Sequence, residues 1–386
     1  MTGNPRRAAA AAAASLAECY QTDPEGTWFA PGRANLIGEH TDYNEGWVLP
    51  FALARGVVSA AARRGDGVLA VTSGQAPGTA VTARLDDLAP GSVTGWAAYP
   101  AGVAWALREA GLAVPGASLA IDSDLPQGAG VSSSAALECA VALALTGLAG
   151  LTVARPRLAA LARRAENEFV GVPSGMMDQS ASLLCEAGHA LLLDCRDGGT
   201  VLVPFGPAAA GLRLLLIDTR ARHELTGGEY ASRRAECEEA ARQLGVPSLR
   251  YATDARGALD RLGPVLRRRA RHVISDNRRV HAVADLLRTG DIGAIGPLLT
   301  ASHASLRDDF EVSWPEADVA VEAAAGGGAL GARMIGGGFG GSVLALLPAA
   351  RDSEVRAAIR AAYAGRGWPG PGFLDAVPSA SAHRLS

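Results

Sequence analysis

Three glycine-marked segments, at residues 30–46, 124–137 and 331–342, dictate where this backbone turns sharply, and each borders an apolar run. Together they constrain the fold more than any other feature. Between them, strand-like runs at residues 68–72, 118–121 and 212–217 alternate with helix-like spacing at 137–148 and 158–169, which predicts a mixed α and β protein. Turn formers cluster in Val203-Pro204-Phe205-Gly206-Pro207, setting an expected domain boundary near residue 205, with domains at 1–205 and 206–386. A length of 386 residues and 48% hydrophobic content suit one large unit or two domains.

The first segment crowds Arg33, Glu39, His40 and Asp42 into ten residues. Three polar groups this close cannot all face a core, whereas a polyhydroxylated ligand offers each a hydroxyl. An exposed polar loop turning at Gly38 is the plain alternative. The second segment runs from a strand through Gln127-Gly128-Ala129-Gly130-Val131-Ser132-Ser133-Ser134 into an apolar helix. Glycines let backbone approach an anion, serines offer hydroxyls, and free amides at a helix start supply partial positive charge. A capped helix after a glycine loop would read the same way. The third segment contains GxGxxG at Gly336, Gly338 and Gly341, but the apolar run 343–347 ends at Pro348 and reads as a strand. A Rossmann fingerprint must open a helix, so this is a ligand-side glycine loop or a tight strand connection.

Composition removes several classes. All 36 basic residues are arginine and none is lysine, which excludes P-loop, protein-kinase and Schiff-base chemistry. A net charge of -3, with no basic block interleaved with aromatics, speaks against nucleic acid as a partner. Five cysteines without a CxxC pair read as reduced and mostly buried. Alanines after Arg6 and Arg7 are a weak imitation of a signal peptide, soon interrupted by Glu18, and an exposed or packed first helix is expected instead. The most apolar stretch, 135–151, carries Glu138 and is too short to span a bilayer, so no membrane partner and a cytoplasmic location are expected. The arginine-dense run 267–271 opens a helical pattern through Leu287 and reads as a solvated helix face.

Three such segments in this order resemble the signature motifs of the GHMP small-molecule kinases, and GRANLIGEHTDY in the first narrows the resemblance to the galactokinase family. The similarity extends to Ala165-Glu166-Asn167, to GVPSGMMDQ at 171–179, to Gly228-Glu229-Tyr230 and to residues 302–309, covering roughly residues 28 to 345. It implies an α+β, two-domain GHMP kinase fold. A ribosomal protein S5 domain 2-like N-terminal domain would join a C-terminal α/β domain with an antiparallel sheet, and the active site would lie in the interdomain cleft.

The resemblance further implies ATP-dependent phosphorylation of the anomeric hydroxyl of galactose. Asp178 and Arg33 would be the catalytic pair, the carboxylate beside the C1 hydroxyl and the guanidinium holding it ionised while facing the transferred phosphoryl group. Because that transition state is loose, Asp178 serves as base or mainly as a positioning group. Glu39, His40, Thr41, Asp42, Asp178 and Tyr230 would bind the sugar. Gly128, Ala129, Gly130, Val131, Ser132, Ser133 and Ser134 would wrap the triphosphate, and Trp96 would stand near the adenine. Ser134 and Glu166 would support Mg2+, although Glu166 also sits on the polar edge of its helical stripe as a surface glutamate would. Galactose and MgATP are the implied partners, with a monomer as the working expectation. A kinase for N-acetylgalactosamine or arabinose, and a non-catalytic galactose- and ATP-binding regulator, are the rival readings. The chain departs from the family pattern at Ala98, Trp314 and Ser342.

Overall fold

The structure, a computed structural model, describes residues 5–126, 128–221, 228–253 and 255–386. Gln127 of the second glycine segment lies outside the described residues.

The first half is α1 (Pro5–Tyr20), β1 (Gly26–Asn35), β2 (Trp47–Val48), β3 (Pro50–Arg64), β4 (Val68–Ser73), β5 (Val81–Arg84), α2 (Ala98–Glu109), β6 (Gly116–Ser123), α3 (Ser133–Leu148), α4 (Arg155–Arg164), α5 (Met177–Leu184), β7 (His189–Asp194) and β8 (Thr200–Pro204). The second half is β9 (Leu212–Asp218), α6 (Glu229–Leu244), α7 (Pro264–Arg288), α8 (Gly296–Asp308), α9 (Pro315–Gly326), β10 (Gly331–Ile335), β11 (Ser342–Pro348), α10 (Asp352–Ala364), β12 (Gly372–Ala376) and β13 (His383–Arg384). Strands thus form where the short apolar runs predict them. The third glycine segment joins the antiparallel pair β10 and β11, as its strand reading requires.

A six-stranded sheet in the order β13-β1-β3-β6-β4-β5 carries the first half. It is covered on both faces, which explains why every residue of β1 is buried. On one face Ala8, Ala12 and Leu16 of α1, one helical turn apart, pack with Phe29, Val58, Ala60 and Ala120. On the other lies α3, apolar almost all round. A four-stranded antiparallel sheet, β10-β11-β9-β12, carries the second half. Its β9 alternates with period two: Leu214 and Leu216 join the large core shared with the first half, while Leu215 and Ile217 face a second core with α7. β2, β7 and β8 form a third, smaller sheet.

The chain passes from the first architecture to the second between Pro204 and Leu212, but its last residues return. β13 pairs with β1, and Ser379 N and Ala382 N bond the carbonyls of Ala52 and Ser182.

Two expectations need correction. The arginine run does open α7, yet Arg269 is only 2% exposed, its guanidinium held by Glu236 Oε2 at 2.6 Å, Glu311 Oε2 at 2.7 Å and the Asp309 carbonyl at 2.6 Å. Arg269 is an internal tie, while Arg267 and Arg271 keep the solvated face. The helical pattern 158–169 is not uniform either: α4 ends at Arg164, and Ala165–Val170 forms a wider π-helical turn. Cys139, Cys185, Cys195 and Cys237 are buried free thiols, and Cys19 is an exposed one. Among the described residues no helix is long and apolar enough to cross a membrane.

Candidate active site

The pairing of β1 with β3 slips between Pro31 and Arg33, a bulge that re-aims the chain just before the Arg33 side chain. Gly32 makes this possible, because a Cβ there would stand 2.6 Å from the Val131 carbonyl. With glycine in place, Arg33 N donates to that carbonyl at 3.1 Å and Arg33 Nη1 to the Gly130 carbonyl at 2.7 Å. The rest of the guanidinium forks onto Asp178, Nε to Oδ1 at 2.8 Å and Nη2 to Oδ2 at 3.0 Å. The Ser132 hydroxyl also donates to Asp178 Oδ2. Burial works against the Arg33 charge, and the carboxylates of Asp178, Glu39 and Asp42 hold it above the usual guanidinium value.

These groups stand in a cleft of about 520 Å³ lined by all three glycine segments. At one end, residues 128–134 lead into α3, whose first helical bond runs from Ala136 N to the Ser132 carbonyl, so the preceding amides of that turn are free for an anion. Ser132 holds a left-handed φ of 56°, a strained conformation for serine. The third segment braces this loop: Ser342 Oγ donates to the Ala129 carbonyl at 2.7 Å, and Gly336 packs against Gly130. Trp314 secures the third segment in turn, its Nε1 bonding Thr219 Oγ1 at 3.1 Å, which donates to the Gly341 carbonyl at 2.6 Å. Ser342 therefore ties the 128–134 loop directly, and Trp314 ties the third segment that braces it.

At the other end stand Glu39, His40, Asp42 and Tyr230. Glu39 Oε1 accepts from Gly336 N at 2.8 Å, and burial pushes its carboxyl up against the opposing pull of Arg333. His40 lies at a φ of 60°, with Nδ1 bonded to Tyr43 Oη at 2.8 Å and Nε2 to the Gly337 carbonyl at 3.2 Å. A carbonyl only accepts, so Nε2 carries the proton and Nδ1 accepts from Tyr43. Burial lowers His40 to about 3. Asp42 is raised to about 6, first by burial and then by the Asp178 charge. It sits so close to the 171–175 loop that a Cβ on Gly175 would fall 1.7 Å from its Oδ2. Tyr230, at the start of α6, lays its ring over Gly337 and within 5.5 Å of the His40 ring, centroid to centroid.

Glu166 is 5% exposed, at the start of the π-helical turn and on the same buried side as Ala159 and Ala162 of α4. Its Oε1 accepts from Ser134 Oγ at 3.1 Å, and its Oε2 from Ser174 Oγ at 2.5 Å and Gln179 Nε2 at 2.8 Å. Hard oxygen donors at the phosphate-facing end fit Mg2+. Among the described residues no group of three or more His, Cys, Asp or Glu side chains forms a complete cage, so such a cation would draw its other ligands from phosphate and water.

Two expected site residues are not among those lining this cleft. Thr41 is buried with its hydroxyl committed to the carbonyls of Gly38 at 2.9 Å and Trp47 at 2.8 Å, so it shapes the turn that presents its neighbours. Trp96, in the short helical turn Gly95–Ala97, packs against the large core and does not line the cleft. Sequence reasoning missed Tyr43, Ser174, Gln179 and Arg333. Tyr43, Ser174 and Gln179 fall within motif stretches already recognised, and Arg333 lies inside the third glycine-marked segment.

The chain matches three families: the galactokinase galactose-binding signature over residues 14–63, the GHMP kinases N terminal domain over 98–186 and the GHMP kinases C terminal over 283–365. It is 52% identical to galactokinase of Streptomyces coelicolor, covering 95% of this chain and 96% of that one. It is 49% identical to galactokinase of Mycobacterium tuberculosis, covering 89% and 94%. A crystal structure of Lactococcus lactis galactokinase complexed with galactose superposes with a TM-score of 0.92 at 33% identity, covering 97% of this chain and 98% of that chain. A mevalonate kinase structure at 15% identity and a TM-score of 0.66 shares the fold.

Proposed function

This chain belongs to the galactokinase family of the GHMP kinases, and from that premise we propose that it transfers the γ-phosphoryl group of ATP to the anomeric C1 hydroxyl of α-D-galactose, giving α-D-galactose 1-phosphate and ADP. The observation that carries the reading is the forked Arg33–Asp178 pair, standing where the sugar-facing and phosphate-facing ends of one cleft meet.

Three of the roughly four lone-pair sites of Asp178 are occupied by Arg33 and Ser132, which leaves one for the acceptor hydroxyl. Clamped by the Arg33 fork, the carboxylate orients that hydroxyl and takes its proton as the O–P bond forms. In a loose transition state orientation and charge stabilisation supply most of the rate, and Arg33 faces the charge spreading over the phosphoryl oxygens. The amides and hydroxyls of Gly128 to Ser134 wrap the triphosphate. Asp42, Glu39, His40 and Tyr230 meet the sugar. A site built to bond the axial C4 hydroxyl penalises glucose by leaving buried groups unpaired. Ser134 and Glu166 Oε1 would hold Mg2+, which when bound would offset the negative charge of the phosphates. Residues 1–205 supply the catalytic pair and the phosphate loop, residues 206–386 supply Tyr230 and the third glycine loop, and the protein works as a cytoplasmic monomer on MgATP.

The test is ADP release with MgATP and a panel of galactose, glucose, N-acetylgalactosamine and arabinose, with the product checked for a C1 phosphate. Galactose-dependent turnover to the 1-phosphate is expected. Turnover with another sugar replaces the substrate, and galactose binding without turnover makes the chain a sensor. Asp178→Ala is expected to lower kcat by at least ~10²-fold, the scale of a positioned acid–base group, with nucleotide binding nearly intact.

A further inference from the structure

Gln179 follows Asp178 on α5 and is fully buried. Its amide nitrogen has two hydrogens and both are used, one donated to Glu166 Oε2 at 2.8 Å and one to Glu138 Oε2 at 2.9 Å. Turning the amide over would set its carbonyl against two carboxyl groups, so this orientation is fixed by its partners. Glu138 is itself fully buried, in the middle of the otherwise apolar α3. The second oxygens of this pair, Glu138 Oε1 and Gln179 Oε1, are both buried and lack a partner. A single proton on Glu138 supplies the missing donor between two such acceptors, since a carboxylic acid and a primary amide are complementary head to head. Burial, followed by the Glu166 charge, raises the Glu138 carboxyl well above the usual range, in keeping with that state.

We infer that Glu138 is a positioning residue for the phosphate-facing carboxylate: it holds Gln179 in the orientation that donates to Glu166 Oε2, and so fixes the rotamer that directs Glu166 Oε1 toward Ser134. Glu138 contacts neither substrate nor metal. One amide ties α3, which carries the phosphate loop, to the π-helical turn that carries Glu166 and to the helix that carries Asp178. The inference rests on the placing of Mg2+ at Ser134 and Glu166 made above.

The test is calorimetric ADP binding to the full chain across a Mg2+ series, alongside the galactose KM. Outer ligands of a metal site typically cost 10- to 100-fold in metal affinity when removed, so Glu138→Met is expected to raise the Mg2+ concentration for half-saturation about tenfold. ADP binding without Mg2+ and the galactose KM should stay within about twofold, which a general loss of folding would not allow. Glu138→Asp keeps the acid but withdraws it by one methylene, and the same shift is expected; it answers the question if the methionine variant does not fold. Glu138→Gln supplies a neutral amide that pairs with Gln179 in the same head-to-head way, and its Mg2+ response should match wild type within about twofold. A wild-type response in Glu138→Met or Glu138→Asp overturns the inference. So does a Glu138→Gln variant as impaired as the others, since charge and not the hydrogen bond would then be the cause. Unchanged Mg2+ dependence in Glu166→Gln refutes the metal placement itself, and this inference with it.

Discussion

Asp42 illustrates how a binding residue is held at a cost to the fold. Its carboxyl is raised to about 6 from an ordinary 3.8, by burial and then by the neighbouring Asp178. Between those values the folded protein binds a proton that the unfolded chain has released, so stability falls as pH rises through the window, and the full cost is present above about 6. Asp42→Asn should therefore stabilise the ligand-free protein by about 1–2 kcal/mol at pH 8, with the gain shrinking toward pH 5, as urea unfolding at the two pH values would reveal. The same variant should lose most galactose affinity, the usual exchange of stability for function. His40, lowered to about 3, stays neutral throughout and contributes no limb to a pH profile above 5. The chemical types at these positions were legible from the crowding of Glu39, His40 and Asp42. The commitment of both His40 ring nitrogens to Tyr43 and Gly337 was not, because Gly337 lies 297 residues away.

Among the elements, α7 shows where local pattern fails. Five residues rich in arginine at a helix start read as a solvent-facing stripe, yet Arg269 points inward to Glu236, Glu311 and the Asp309 carbonyl, with its guanidinium 5.8 Å from the Phe310 ring centroid. Arg269→Met keeps the stem but leaves a buried carbonyl and two half-exposed carboxylates without their partner. A loss of about 2 kcal/mol in urea unfolding is expected, with the galactose and ATP KM values within about twofold of wild type. The π-helical turn at Ala165–Val170 follows the same lesson. The sequence pattern puts Glu166 on the polar edge of its stripe, and packing against the rest of the fold decides that this edge is buried at the cleft.

At the scale of the molecule, the sugar-facing loop is locked from outside by contacts between its two halves. Arg250 forks onto the buried Asp194, with Nη2 to Oδ2 at 2.9 Å, donates to the Glu45 carbonyl at 2.7 Å and lies 4.8 Å from the Trp47 ring centroid. Asn277 of α7 accepts from Trp47 N at 2.8 Å. Arg250→Ala leaves Asp194 with Arg196 alone and frees this loop, so a destabilisation of about 1–2 kcal/mol and a several-fold rise in galactose KM are expected, with the ATP KM unchanged; steady-state kinetics in both substrates would separate the two. What the sequence determined by itself was local: strands and helices from their apolar periods, a glycine and serine loop opening a helix, and a crowded polar cluster at Glu39, His40 and Asp42, of which the fold nonetheless buries Glu39 and His40. Tertiary structure alone decided which of these groups meet. Arg33 and Asp178, 145 residues apart, join through a bulge in β1, whereas the Thr41 hydroxyl bonds the Gly38 and Trp47 carbonyls and Trp96 packs against the large core. The physical reason is that periodicity and turn chemistry act over a few residues, while register, helix phase and cross-packing are settled only when distant surfaces compete for the same interior.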